Sequence, residues 1–289
     1  MGSISNRLIN HNSAISLVLG LALALSVSTL LLSPTTSEWL GLGLIVLAGI
    51  PHGSYDLRVA ESLLGSSFAK RGLLVFVYLL VGLAMSGLCL LWPTAGLALF
   101  LAISALHFVE GERIYSPPLT ALLSGVGAIL LPISYHFESA SKYLAHFVAD
   151  NFLLALSAYL RPIGITFGLL LAASLILDYC RQKRSEIAQH AVCLLAWILL
   201  PPLSGFCVWF IGRHSSQHLQ RSRTIFAKAT DDRKIPLDFI ALSITAIALI
   251  TPLALIFDLS DLHQLFAASI VLIAGLTLPH MITTHLGRS

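Results

Sequence analysis

The stretch Trp39–Arg58 reads WLGLGLIVLAGIPHGSYDLR, and its two halves are different chemistries. The thirteen residues from Trp39 to Pro51 carry no charge and no strongly polar side chain. Pro51, His52, Gly53 and Asp56 then arrive together. Pro51 removes a backbone donor and Gly53 leaves backbone exposed, so the spacing predicts a helix that kinks or breaks where His52 sits. In a bilayer such irregular backbone is tolerated only where it is buried in protein or lines a cavity. The plainer alternative is a proline kink whose histidine hydrogen-bonds a neighbouring helix.

Working outward, the whole chain shares this apolar character. Of 289 residues 56% are hydrophobic and 11% charged, too little polar surface to cover a soluble globule of this size. The composition therefore specifies an integral membrane protein. Lys and Arg number 17 against 14 Asp and Glu, an excess that suits orientation signals in loops rather than a nucleic-acid surface. Cys89, Cys180, Cys193 and Cys207 are widely spaced, with no C-x-x-C pair, and read as small buried hydrophobes.

Apolar runs at 14–32, 39–58, 73–91, 94–109 and 118–133 are each expected to span. The run 145–160 is interrupted by Asp150 and Asn151 and either crosses or lies in the interface, and 163–177 is a clearer span. The run 191–211 is broken by Pro201-Pro202 and suits a re-entrant pair of half-helices as well as a full crossing. Spans at 237–257 and 262–278 follow. The expectation is an all-α, polytopic helical bundle of about eight to ten spans forming a single domain over 1–289.

Charge places the histidines. Loops at 33–38, 92–94 and 258–262 carry no Lys or Arg, whereas 58–71, 110–117 and 212–236 do, which puts the second group in the cytoplasm. His52, His107, His214 and His218 belong to that side, and His280 returns to it, provided the chain crosses an even number of times between 118 and 211. His214 and His218 are spaced i, i+4 and share a helix face, so they can grip one ion. Alternatively they face headgroups beside Arg213 and Arg221. With His52 and His107 they make a four-histidine site that suits Fe(II) or Zn(II), iron keeping positions for dioxygen. Asp56 is expected to orient the other ring nitrogen of His52. Glu112 is expected either to do so for His107 or to pair with Arg113, and His280 to line the cavity or support a ligand. His11, His136, His146, His190 and His263 read as solvated or interfacial.

Four blocks in order, Pro51-His52-Gly53-Ser54-Tyr55-Asp56, Leu106-His107-Phe108, Trp209-Phe210 with His214 and His218, and Leu278-Pro279-His280-Met281, resemble the Brp/Blh family of microbial β-carotene 15,15′-dioxygenases. Val109 stands where that family usually has glycine. The resemblance implies a multi-pass enzyme of the bacterial cytoplasmic membrane that cleaves the central double bond of β-carotene with O2 to give retinal. It implies Fe(2+) held by His52, His107, His214 and His218, and a product passed to a retinal-binding rhodopsin. A hydrocarbon substrate drawn from membrane lipid would be held by shape, and Tyr55, Phe108, Trp209 and Phe210, beside the ligands, are the expected walls. Two other classes share histidine-rich helices. A di-iron desaturase or hydroxylase needs about eight ligands in several clusters, and a haem-binding or metal-transporting bundle needs facing histidine pairs.

Overall fold

The computed structural model describes residues 2–53, 56, 58–59, 67–179, 184–226 and 253–286, and among them every regular element is a helix. In order these are α1 (Gly2–Leu31), α2 (Pro34–His52), α3 (Phe68–Leu91), α4 (Pro93–Glu112), α5 (Pro118–Tyr135), α6 (Phe137–Leu144), α7 (Asp150–Tyr179), α8 (Arg184–Leu199), α9 (Pro202–Trp209), a π turn (Phe210–Ser215), α10 (Ser216–Phe226) and α11 (Leu262–Leu286). Prolines open α2, α4, α5 and α9, where the missing N–H would lack a partner in any case and the fixed φ already suits a helix.

Five of the described helical stretches are long and apolar enough to cross a membrane: Gly72–Leu91, Pro93–Glu112, Pro118–Tyr135, Asp150–Tyr179 and Leu262–Leu286. Their outer surfaces are as apolar as their cores. In α7, Leu154, Leu169, Leu170, Ile176 and Leu177 are each more than half exposed, whereas Gly164, Gly168, Leu171, Ser174 and Leu175 are buried. A helix hydrophobic all round belongs in lipid. The expected span 237–257 falls almost wholly outside the described residues, as do Ser54, Tyr55 and 227–236.

Two expectations from sequence are revised in the middle of the chain. The segments 145–160 and 163–177 are not separate: α7 runs unbroken from Asp150 to Tyr179 through Pro162. Thirty residues at 1.5 Å each span about 45 Å, so the Asp150 end reaches past a hydrocarbon core of about 30 Å. Pro162 removes only its own donor, and the apolar residues on either side keep the helix worth forming. The run 191–211 resolves to its bent form. Helix α8 ends at Leu199, and Gly205, four residues into α9, is so close to the Ala196 carbonyl that an added Cβ would lie 2.8 Å from it. The second half-helix thus doubles back on the first at Pro201.

The chain gathers into two compact units. The first comprises 1–45, 105–142 and 149–218. Trp197, Trp209, Leu131 and Leu171 fill its interior, and the Ser37 and Ser204 hydroxyls meet there at 2.8 Å. Val109 packs into α5 where Gly125 leaves room for it. The second unit comprises 46–104, 143–148 and 219–289. Its axis is α3 against α11, where the Ser86 hydroxyl donates to the Val271 carbonyl at 3.1 Å. Small residues permit this approach, as they do in membrane helix pairs generally. A Cβ at Gly82 would meet the Gly275 carbonyl oxygen at 2.8 Å. Gly82→Ala is therefore expected to cost about 1–3 kcal/mol through overpacking, seen as a lower midpoint of thermal unfolding in detergent followed by circular dichroism.

Candidate functional site

Helix α4 carries three residues of the candidate site on its last turns: His107, Gly111 and Glu112. His107 is 3% exposed, enclosed near the C-terminal end of an apolar helix. The π turn that follows α9 brings His214 to it. A π turn inserts one extra residue into the helical repeat and re-aims the side chains beyond it, and such turns concentrate at functional sites. Its loosened carbonyls are met locally, because the Ser216 hydroxyl lies 2.9 Å from the Gly212 oxygen and 3.0 Å from that of Arg213.

The ring centroids of His107 and His214 are 5.1 Å apart with planes at 80°, and those of His107 and His218 are 6.4 Å apart. Three of the four expected imidazoles therefore assemble in the first unit. Trp209, fully enclosed, stacks on His214 at 5.2 Å and 19°, and Phe108 meets the same ring edge-on at 4.8 Å. Gly111 makes the remaining space, since a Cβ there would lie 3.3 Å from Cε1 of His214. Phe206 and Phe210, half-buried and stacked at 5.5 Å and 17°, continue the aromatic surface outward. Phe210 was expected there. Phe206 was not, although it sits one helical turn before Phe210, the i, i+4 spacing that puts two rings on one face.

Beside His214, Arg213 has no exposed surface. Its Nε donates to both carboxylate oxygens of Glu112, at 2.8 and 3.1 Å, and Nη2 donates to Glu112 Oε2 at 2.8 Å. Nη1 donates to Glu186 Oε2 at 2.8 Å and to Gln189 Oε1 at 3.1 Å, and Nη2 also reaches the Ser116 hydroxyl at 3.3 Å. His190 Nε2 lies 3.3 Å from Glu112 Oε2, and its Nδ1 lies 2.8 Å from the Glu186 carbonyl. Glu112, expected to serve His107 or Arg113, thus pairs with Arg213. His190, expected at an interface, is 2% exposed and belongs to this network. The sequence held one overlooked signal: Glu186, Gln189 and His190 follow i, i+3, i+4 spacing and form a polar stripe on an otherwise apolar helix.

The second unit holds its own buried polar centre. Asp56, 5% exposed, accepts a hydrogen bond from the Tyr78 hydroxyl at 2.9 Å. His280 Nδ1 lies 2.7 and 2.9 Å from the two Asp56 oxygens, a geometry in which the ring nitrogen donates and the carboxylate accepts. Asp56 is therefore a buried carboxylate that orients the His280 imidazole, whereas its expected partner was His52. His52 closes α2, but its side chain and Tyr55 lie outside the described residues.

In kind, the donors in the first unit suit a divalent transition metal, because neutral imidazoles offer nitrogen lone pairs at close quarters. Two imidazoles on one tetrahedral ion place their centroids roughly 5 Å apart, given metal–nitrogen bonds of about 2.0–2.1 Å, and the His107–His214 pair meets that spacing. His218 stands more than an ångström farther out. Among the described residues no group of three His, Cys, Asp or Glu side chains is drawn tightly enough together to enclose an ion.

Comparison with known proteins bears on the same residues. The family described as β-carotene 15,15′-dioxygenase matches residues 43–286. A β-carotene 15,15′-dioxygenase of an uncultured marine bacterium, 66A03, is 28% identical over 193 residues, which cover 63% of this chain and 68% of the relative. No solved structure matches the chain.

Two outcomes are expected from the geometry. Gly111→Ala should push the His214 ring away from α4, visible in protein carrying ¹³C-labelled histidine as a moved Cε1–H resonance that in the parent is shifted by the stacked Trp209 ring. Tyr78→Phe should remove one hydrogen bond to a buried carboxylate and lower stability by about 1.5–3 kcal/mol, measured by denaturant titration in detergent.

Proposed function

The chain belongs to the β-carotene 15,15′-dioxygenase family, and we propose on that premise that it cleaves the central double bond of β-carotene or a close relative with O2, releasing retinal. The observation that carries the proposal is the convergence of His214 and His218 on His107 beneath an aromatic cover. These three imidazoles are the proposed iron-holding side chains, and His52 enters as the fourth on its sequence block alone. When bound, a single non-haem Fe(II) supplies the binding and activation of O2.

The protein's part is position and exclusion. Trp209 and Phe108 fix the plane of His214 and keep water from its face. A polyene offers no hydrogen-bonding group, so only shape and dispersion can set which double bond is presented. Phe206 and Phe210 form a half-buried stacked pair beside His214, suited to lie along such a chain. An apolar exterior suits delivery of substrate from membrane lipid and residence in a bacterial cytoplasmic membrane. Product retinal, itself membrane-soluble, suits transfer to a retinal-binding rhodopsin.

Expression in a β-carotene-producing bacterium is expected to bleach the orange colour and yield retinal, and unchanged β-carotene at normal expression would retire the activity. His107→Ala, His214→Ala and His218→Ala should each abolish retinal formation and lower bound iron by roughly 10-fold or more while the protein still accumulates in the membrane. Metal analysis of the purified variants checks this: parent-level iron in two of the three would remove the shared site.

A further inference from the structure

The reaction and its metal leave unexplained a fully buried guanidinium one residue from His214. We propose that Arg213 and Glu112 form a positioning clamp: the Arg213–Glu112 fork locks the π turn onto the end of α4 and thereby sets the His214 imidazole against His107. The inference rests on the metal-centre reading above and adds residues to it that touch no substrate.

The geometry argues in three steps. Glu112 lies five residues beyond His107 on one helix, and Arg213 directly precedes His214 on the π turn, so the pair and the imidazoles join the same two elements side by side. The join is rigid, because Nε and Nη2 both engage Glu112 at 2.8 Å, a planar fork that fixes orientation as well as distance. It is also braced from a third helix: Nη1 is held by Glu186 and Gln189 of α8, so neither the guanidinium nor the turn carrying it can rotate alone. Gly111 then leaves His214 close to α4, with His107 one turn before it. Stability alone would not select this arrangement. Apolar residues of similar volume commonly replace a buried ion pair without loss, whereas a charged fork specifies one register.

Arg213→Lys keeps the charge but replaces the planar fork with a point donor. The full-length variant in detergent, with parent helix content, is expected to bind Co(II) at least tenfold more weakly than the parent. Its visible Co(II) band should change in position or intensity, and its metal-free form should exchange the amides of 210–215 faster. A second variant, Glu112→Leu and Glu186→Gln combined with Arg213→Met, removes all three charges of the network and so separates folding from positioning; it is expected to fold and to show the same loss. If Arg213→Lys does not fold, this charge-free variant decides. Either variant, folded and binding Co(II) within twofold of the parent with the parent's spectrum, overturns the clamp and leaves the metal centre standing. A parent that takes up no Co(II), with bound iron unchanged by the histidine substitutions, overturns both.

Discussion

A guanidinium with no exposed surface must be met by acceptors on nearly every N–H it carries, and in this protein the requirement organises the first unit. Desolvating a charge costs several kcal/mol even after relaxation, and removing one partner of such a pair costs about 3–5 kcal/mol because the other is left uncompensated. Arg213 can therefore exist only if Glu112, Glu186, Gln189 and Ser116 come to it together. Those residues lie on or just beyond α4 and on α8, so satisfying one side chain fixes how the π turn, α4 and α8 meet. The Pro201 hairpin serves the same end, since doubling α9 back on α8 delivers the π turn to the network.

The histidines inherit this order. His107 gains its partners because the turn bearing His214 cannot drift along α4, and Trp209 and Phe108 then hold the His214 ring in plane. An aromatic surface beside the imidazoles suits a hydrocarbon substrate, and a membrane setting would supply such a substrate without a soluble carrier. The second unit repeats the device on a smaller scale. Asp56, His280 and Tyr78 tie the residues following α2 to α3 and α11 through one buried carboxylate, and close packing at Gly82 and Gly275 brings α3 and α11 together. In both units ionisable groups on apolar helices are paired inside the protein, as membrane helices require.

The membrane character and most of the apolar helices were legible in the chain itself, because hydropathy and proline placement act within a few residues, but the polar start of α1 at Gly2 and the short polar α6 lay outside any apolar run and were not. The i, i+4 histidine pair and the bend at Pro201-Pro202 were legible for the same reason, and the four sequence blocks carried the family. Helix α7 escaped that reading because Asp150, Asn151 and Pro162 are local signals of interruption that its apolar context overrides. What only the tertiary structure decided is which polar group meets which. Glu112 and Arg213 are 101 residues apart, and Asp56 and His280 are 224 apart. A charge pattern left Glu112 between His107 and Arg113, offered Asp56 to His52 and put His190 at an interface, since sequence neighbours are the partners a single chain displays. Helix packing brought Glu112 and His190 into the Arg213 network and His280 to Asp56, because a buried charge is satisfied by the partner that packing places within hydrogen-bonding reach, and distance in space is fixed by how helices cross, not by their order in sequence.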